Sequence, residues 1–316
     1  AGFDRSKKPV VAPSKPVIVP DYYTSNFDNG IKVIGTKTSE SPRVNIVISS
    51  RGGHLVETGK IKNRIQVPDE PYGIISNASG TRLYVSHEYP GKVSEIDPKE
   101  AKVIRVMNAG SRPRGIALHP SEKTIYVSEF LTAAMHAIDI EKGELFDSWK
   151  GQPSDNLARH LSIHPKRPKA YVPHIRSRTT VIDGTGSIFP QLTIYDLVPP
   201  SEGKRRKSFG MDTFNGVYVV TNPWETALTS DGRKLFALYS GTDDMNVCQI
   251  VNDDYKEIER SGRAIVRVGK NPRAVRVSRD DAFVFVHDSS DYAIRKLDAN
   301  TISTHIDALS MAATPE

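Results

Sequence analysis

The sequence predicts an all-β fold, a β-propeller of seven four-stranded antiparallel blades. Three observations carry that prediction. First, five segments align on one frame: "PYGIISNASGTRLYVSH" (71–87), "PRGIALHPSEKTIYVSE" (113–129), "ARHLSIHPKRPKAYVPH" (158–174), "PWETALTSDGRKLFALY" (223–239) and "PRAVRVSRDDAFVFVHD" (272–288). Second, the frame starts are 42, 45, 65 and 49 residues apart, close to the length of a propeller blade in three of the four steps. Third, apolar residues fall in short β-type runs rather than at helical spacing, and 21 Pro and 22 Gly punctuate the turns between them.

The elements follow in chain order. Residues 1–16 read as an extended arm whose prolines disfavour helix and permit polyproline or edge geometry. The propeller is expected over 17–310, with a tail at 311–316. "PVIVPD" (16–21) and "VNIVISS" (44–50) read as second strands of two upstream blades, which brings the count to seven, the first irregular. The terminal segments are expected to share one blade, closing the ring and removing its open edges. Within each frame a short apolar strand turns through a polar corner into a Tyr/Phe-Val strand. Third strands follow at "KVSEID" (92–97), "AMHAID" (134–139), "LTIYDL" (192–197) and "AIRKLD" (293–298). Fourth strands follow at "KVIRVMNAG" (102–110) and "AIVRVG" (264–269). The 65-residue step marks an insertion at 175–222.

Composition excludes several classes of function. No apolar run approaches the ~18 residues of a membrane span. The single cysteine, Cys248, rules out an intrachain disulfide and any Cys-x-x-Cys-His haem attachment within the sequence, and its apolar strand "NVCQIV" makes it a buried thiol. The net charge of +6 includes the run Lys204-Arg205-Arg206-Lys207, which lacks the interleaved aromatics of a nucleic-acid surface. The start at Ala1-Gly2 is what export cleavage after a small residue would leave, so an extracytoplasmic location is expected.

A blade runs outward from the central channel, which places the start of its first strand and the end of its second at one mouth. The second frame position then forms a ring of Tyr72, Arg114, Arg159, Trp224 and Arg273. The last position forms a neighbouring ring of His87, Glu129, His174, Tyr239 and Asp288. Three guanidiniums at one opening would hold an anion or a partner's carboxylates by forked hydrogen bonds. Equally, each arginine would pair with Glu129, Asp288 or a carbonyl and fix blade packing. His160 and His164 lie four apart on a strand, too far to share a metal, so no metal site is assigned. There is no nucleophile elbow and no carboxylate pair with separated roles, so no catalytic residue is assigned either.

One stretch breaks the rhythm. "GTDDMNVCQIVNDDYKEIER" (241–260) packs Asp243, Asp244, Asp253, Asp254, Glu257 and Glu259 around one strand, within an enlarged acidic excursion at 241–263. Its spacing lacks the alternating pattern of a calcium loop. The remaining readings are a loop that contacts a partner and a solvated edge.

The frame resembles the YVTN family of propeller repeats, whose tetrapeptide "YVSH", "YVSE" and "YVPH" echo. "YVPHIRSRTTVIDGTGSIFPQLTIYDL" (171–197), "VVTNPWETALTSDGRKLFALYSGTDDMNVCQIVNDDYKEIER" (219–260) and "VRVGKNPRAVRVSRDD" (266–281) are more specific. They are similar to the propeller part of bacterial proteins in which such a propeller precedes a di-haem cytochrome c peroxidase-like domain. The sequence departs from that pattern at "THIDALSMAATPE" (304–316), where the haem domain would begin. The resemblance implies a non-catalytic propeller that scaffolds and gates a multihaem redox enzyme. Haem-bearing cytochrome subunits would be its partners in a hetero-oligomer, with c-type haem on those partners and no cofactor on this chain. Asp253, Asp254, Tyr255, Glu257, Asp243 and Asp244 would then line a partner's pocket. The alternatives are a stand-alone lactonase-like hydrolase, which would lose turnover on changing Glu129 or His174, and an extracytoplasmic binding module for peptides or glycans.

Overall fold

Proline opens four of the five repeats, and its missing N–H decides how each blade begins. The computed structural model describes residues 22–26, 32–36, 64–178, 187–198, 206–211, 219–251, 257–258 and 264–302. First strands start on the frame: β3 (Pro71–Ser76), β7 (Pro113–Leu118), β16 (Pro223–Leu228) and β20 (Pro272–Val277). In the third repeat the corresponding strand is only β12 (Ser162–Ile163), beside β11 (Asp155–Asn156). The residue just before each frame start, Glu70, Arg112, Leu157, Asn222 and Asn271, is left-handed in every blade, with φ between 47° and 58°. That conformation turns the chain from one blade into the next. In four blades the carbonyl of this residue accepts from the residue after the second strand: Glu88, Phe130, Ser240 and Ser289.

Second strands are β4 (Leu83–His87), β8 (Thr124–Glu129), β13 (Lys169–Arg178), β17 (Lys234–Tyr239) and β21 (Phe283–Asp288). Third strands are β5 (Lys92–Asp97), β9 (Met135–Asp139), β14 (Ser187–Asp196), β18 (Asp244–Gln249) and β22 (Ala293–Asp298). Fourth strands are β6 (Lys102–Asn108), β10 (Glu144–Trp149), β15 (Arg206–Gly210) and β19 (Ala264–Arg267). Pairing is antiparallel throughout, and the orders β3-β4-β5-β6, β10-β9-β8-β7, β11-β13-β14-β15, β16-β17-β18-β19 and β20-β21-β22 make five blades. The insertion lengthens the third blade: β13 and β14 pair in unbroken register from Lys169↔Asp196 to Arg178↔Ser187.

The second strands β4, β8 and β17 are buried on both faces, whereas β21, in the last blade, buries one face more fully than the other. Successive side chains enter different cores. Tyr126 packs with Trp149, Leu161 and Val172, whereas Ile125 and Val127 pack with Tyr84, Val93 and Ile116. Phe236 and Leu238 join Val275 and Val284, whereas Leu235 and Tyr239 join Tyr171, Leu192 and buried Cys248. Four clusters thus serve the four successive blade pairs. At ~1.5–3 kcal/mol per buried large apolar side chain, they supply the main cohesion between blades.

The blade count corrects the expectation of seven. Residues 1–61 form a separate compact unit, in which β1 (Tyr22–Asn26) pairs β2 (Lys32–Thr36) as a two-stranded sheet. The runs 16–21 and 44–50, read as blade strands, lie outside the described residues. A β-branched run has the same period in a hairpin as in a blade, so the pattern there could not assign one. The described residues contain no helix long and apolar enough to cross a membrane.

Candidate functional site

The second frame position reaches the channel mouth through a bulge. Pairing jumps from Pro113↔Glu129 to Gly115↔Ser128, from Pro223↔Tyr239 to Glu225↔Leu238, and from Pro272↔Asp288 to Ala274↔His287. Arg114, Trp224 and Arg273 are the extra residues, released from the ladder and re-aimed. A similar shift lies between Pro71 and Ile74, beside Tyr72.

These side chains stack in blade order. The Arg114 guanidinium lies 4.8 Å from the Tyr72 ring centre and 3.4 Å from that of Phe130. Arg159 lies 5.3 Å from Phe130 and 4.6 Å from Trp224, and Arg273 lies 4.7 Å from Trp224. Cations alternating with aromatic faces gain quadrupole attraction while staying open to ligands. Among the described residues, of these three only Arg114 meets a carboxylate, donating through Nε and Nη2 to Glu88 at 2.7 and 3.1 Å. Arg159 donates to the Leu157 carbonyl at 3.2 Å and Arg273 to Asn271 Oδ1 at 3.3 Å, and among the described residues neither meets a carboxylate. Burial lowers the Arg159 pKa, and the like charges of Arg114 and Arg273 lower it further, against Tyr72. Burial raises the Tyr72 phenol, opposed chiefly by Arg114.

The mouth encloses a cavity of about 340 Å³ whose floor is charged. Glu225 Oε1 sits 3.1 Å from His160 Nε2 and accepts from Arg276 Nη1 at 2.6 Å, while Oε2 accepts from the Val275 N–H at 2.8 Å. Burial holds the His160 pKa down, opposed by Glu225 and reinforced by Arg276. Thr226 N–H donates to its Nδ1 at 3.4 Å, which turns Nε2 towards Glu225.

The last-position ring lies elsewhere. His87, Glu129, His174 and Asp288 are all buried, and none lines the mouth cavity. Each fastens its own second strand to the third. His87 Nε2 meets Ser94 Oγ at 2.9 Å, His174 Nε2 meets Thr193 Oγ1 at 2.7 Å, and Asp288 accepts from Arg295 Nε at 3.1 Å. Glu129 lies 3.0 Å from His136 Nε2 and accepts from Thr132 Oγ1 and Ser111 N. Burial works against that carboxylate, but these partners outweigh it and hold its pKa below the usual range. Glu129 lines a different cavity of about 390 Å³, with His136, Trp149 and Asp155.

The acidic stretch divides between the two ends of the fourth blade. Asp243, left-handed at φ 60°, accepts from the Asn271 N–H at 2.8 Å and from Lys270 Nζ at 2.9 Å, tying its turn to the fifth blade. Asp244 is buried with Arg267 Nε 3.5 Å away, and burial raises its pKa. At the far end Glu257 is 1% exposed. Its Oε1 accepts from Arg167 Nη2 at 2.5 Å and Tyr171 Oη at 2.7 Å, with Lys169 Nζ 3.8 Å from Oε2. Asp253, Asp254 and Tyr255 lie outside the described residues. Among the described residues no group of His, Cys, Asp and Glu could hold a metal ion.

Sequence reasoning missed Glu88 and Phe130, which stand one residue past the frame's end. It also missed Glu225 and Arg276, which sit among apolar first-strand residues. The available signal was the charge at those positions in strands otherwise apolar.

No protein-family model and no curated protein matches the sequence. Solved structures do. Hydrazine synthase from Kuenenia stuttgartiensis superposes with TM-score 0.54 at 15% identity, covering 78% of this chain and 88% of that one. The Swd1 propeller domain of Myceliophteria thermophila gives 0.56 at 14%, covering 75% and 68%. A protein described as a 6-phosphogluconolactonase from Bacteroides uniformis gives 0.56 at 13%, covering 73% and 66%. At such identities the likeness is one of fold: an all-β propeller of four-stranded antiparallel blades, five in the described residues.

Proposed function

We propose that this chain is a non-catalytic propeller subunit of a multihaem redox enzyme of the hydrazine-synthase type, acting outside the cytoplasm. Hydrazine would be formed from nitric oxide and ammonium on c-type haems of partner subunits. This propeller would scaffold them and offer Asp253, Asp254 and Tyr255 to a partner's pocket, since Asp243, Asp244 and Glu257 are engaged within the chain. One observation carries the reading: that stretch is pinned at both ends. Beyond β18, Ile250 bridges Ile258, the Val251 N–H donates to the Glu257 carbonyl, and Glu257 and Ile258 are buried against the third blade. Residues 250–251 and 257–258 thus form a fixed base, which is what a segment between them would need to reach a neighbour with defined aim. The propeller likeness to hydrazine synthase supports the same reading at the level of fold.

The test is replacement of Asp253, Asp254 and Tyr255 by Asn, Asn and Phe in the native host. The expected result is an assembled complex with reduced turnover, or loss of assembly, while the propeller's own melting temperature is unchanged. Wild-type assembly and turnover would overturn the role given to the loop.

A further inference from the structure

We propose that the channel mouth is a binding site for a small organic dicarboxylate, independent of any docking to a partner subunit. The argument rests on uncompensated charge. Arg159 and Arg273 flank Trp224 in blade order, each within 4.7 Å of its ring, and neither has a carboxylate among the described residues. Arg273 is exposed and solvated, but Arg159 is half-buried on the other face of the same ring, so an anion there would relieve its desolvated charge. Arg114 does not serve, because its fork already grips Glu88.

The ligand class follows from the geometry. A guanidinium offers paired donors that match one carboxylate, so two guanidiniums on the third and fifth blades, one on each side of Trp224, ask for two carboxylates on one molecule. The cavity that both arginines line is also lined by Trp224, Ile74, Ile75 and Ile116, apolar surface suited to a short carbon chain. The cavity of about 340 Å³ lies at the lower end of ordinary small-molecule sites and suits a small ligand. The floor sets orientation. Glu225 spends its oxygens on His160, Arg276 and the Val275 N–H, so its charge is neutralised and it repels an entering anion little. Gly73 and Gly115 keep the walls close. A Cβ at Gly115 would lie 2.4 Å from Ser128 Oγ, and one at Gly73 would lie 2.8 Å from Ile116 Cγ2.

The probe is succinate titrated into the full chain at low salt, followed by Trp fluorescence and calorimetry. Binding with a Kd of about 1 mM or tighter is expected, with Trp224 as the reporter. Arg159→Gln and Arg273→Gln should each weaken it about tenfold or more, and Trp224→Phe should remove the optical signal but not the heat. Arg233→Gln, an exposed arginine at a turn between first and second strands, should leave the affinity unchanged. Melting curves of each variant keep a folding defect separate from a binding defect. No saturable heat with wild type, equal affinity in the arginine variants, or binding of a hexaglutamate peptide but not of succinate would each overturn the proposal. None of these outcomes bears on assembly with haem-bearing subunits.

Discussion

Glu257→Gln isolates the contact that pins the acidic stretch. The substitution keeps shape and one acceptor oxygen but removes the charge that faces Arg167, Tyr171 and Lys169. Breaking a fully buried ion pair costs about 3–5 kcal/mol, because the surviving charge stays desolvated. Arg167 keeps 17% of its side chain exposed, so water recovers part of that loss and about 2–3 kcal/mol remains. For a chain of this size that corresponds to a melting temperature lower by about 3–5 °C. The assay is urea and thermal unfolding of wild type, Glu257→Gln, Arg167→Met and the double variant. A coupling energy of at least about 1 kcal/mol is expected across the cycle. Additive effects, or a Glu257→Gln chain within about 0.5 kcal/mol of wild type, would refute the claim that this pair anchors the loop.

Three further outcomes are expected. Burial lowers the pKa of His87, His119, His160 and His164, so the unfolded chain binds more protons than the folded one below its ordinary histidine pKa of about 6.5. Stability present at neutral pH is therefore lost as pH falls through 6.5, and His160→Gln should flatten the fall in urea midpoint between about pH 7 and 5.5. Gly115→Ala drives a Cβ to 2.4 Å from Ser128 Oγ and 2.7 Å from the His160 backbone, and should cost about 1–3 kcal/mol by chemical denaturation. Asp243→Ala removes the acceptor of the Asn271 N–H and the partner of Lys270 at a left-handed position, and should lower the unfolding free energy by about 1–2 kcal/mol.

Much of the repeat was legible because its punctuation is steric. Pro71, Pro113, Pro223 and Pro272 mark strand starts to the residue, and "KVSEID" and "AIRKLD" are third strands end to end. The mouth position of Arg114, Trp224 and Arg273 was legible too, since it follows from the direction of strands in a blade. The destination of the last frame position was not. His87 and Asp288 look like mouth residues until the residue seven places on, Ser94 or Arg295, is seen to reach them from the next strand. The two roles differ only in which side of the strand end faces the neighbour, and a bulge one strand away decides it. Glu257 reads as one more charge of a solvated loop, because its partners Arg167 and Tyr171 are about ninety residues distant in sequence. The count of blades failed for another reason: upstream of Lys62 there is apolar patterning but no repeat of the frame to hold it to.

The central claim is that this propeller works beside haem-bearing partners. The direct measurement is sedimentation of the native material with detection at both the Soret band and 280 nm. The account predicts a single boundary absorbing at both wavelengths, at a mass far above 34.9 kDa, with this chain recovered from it. This chain sedimenting alone and colourless at about that mass would contradict it.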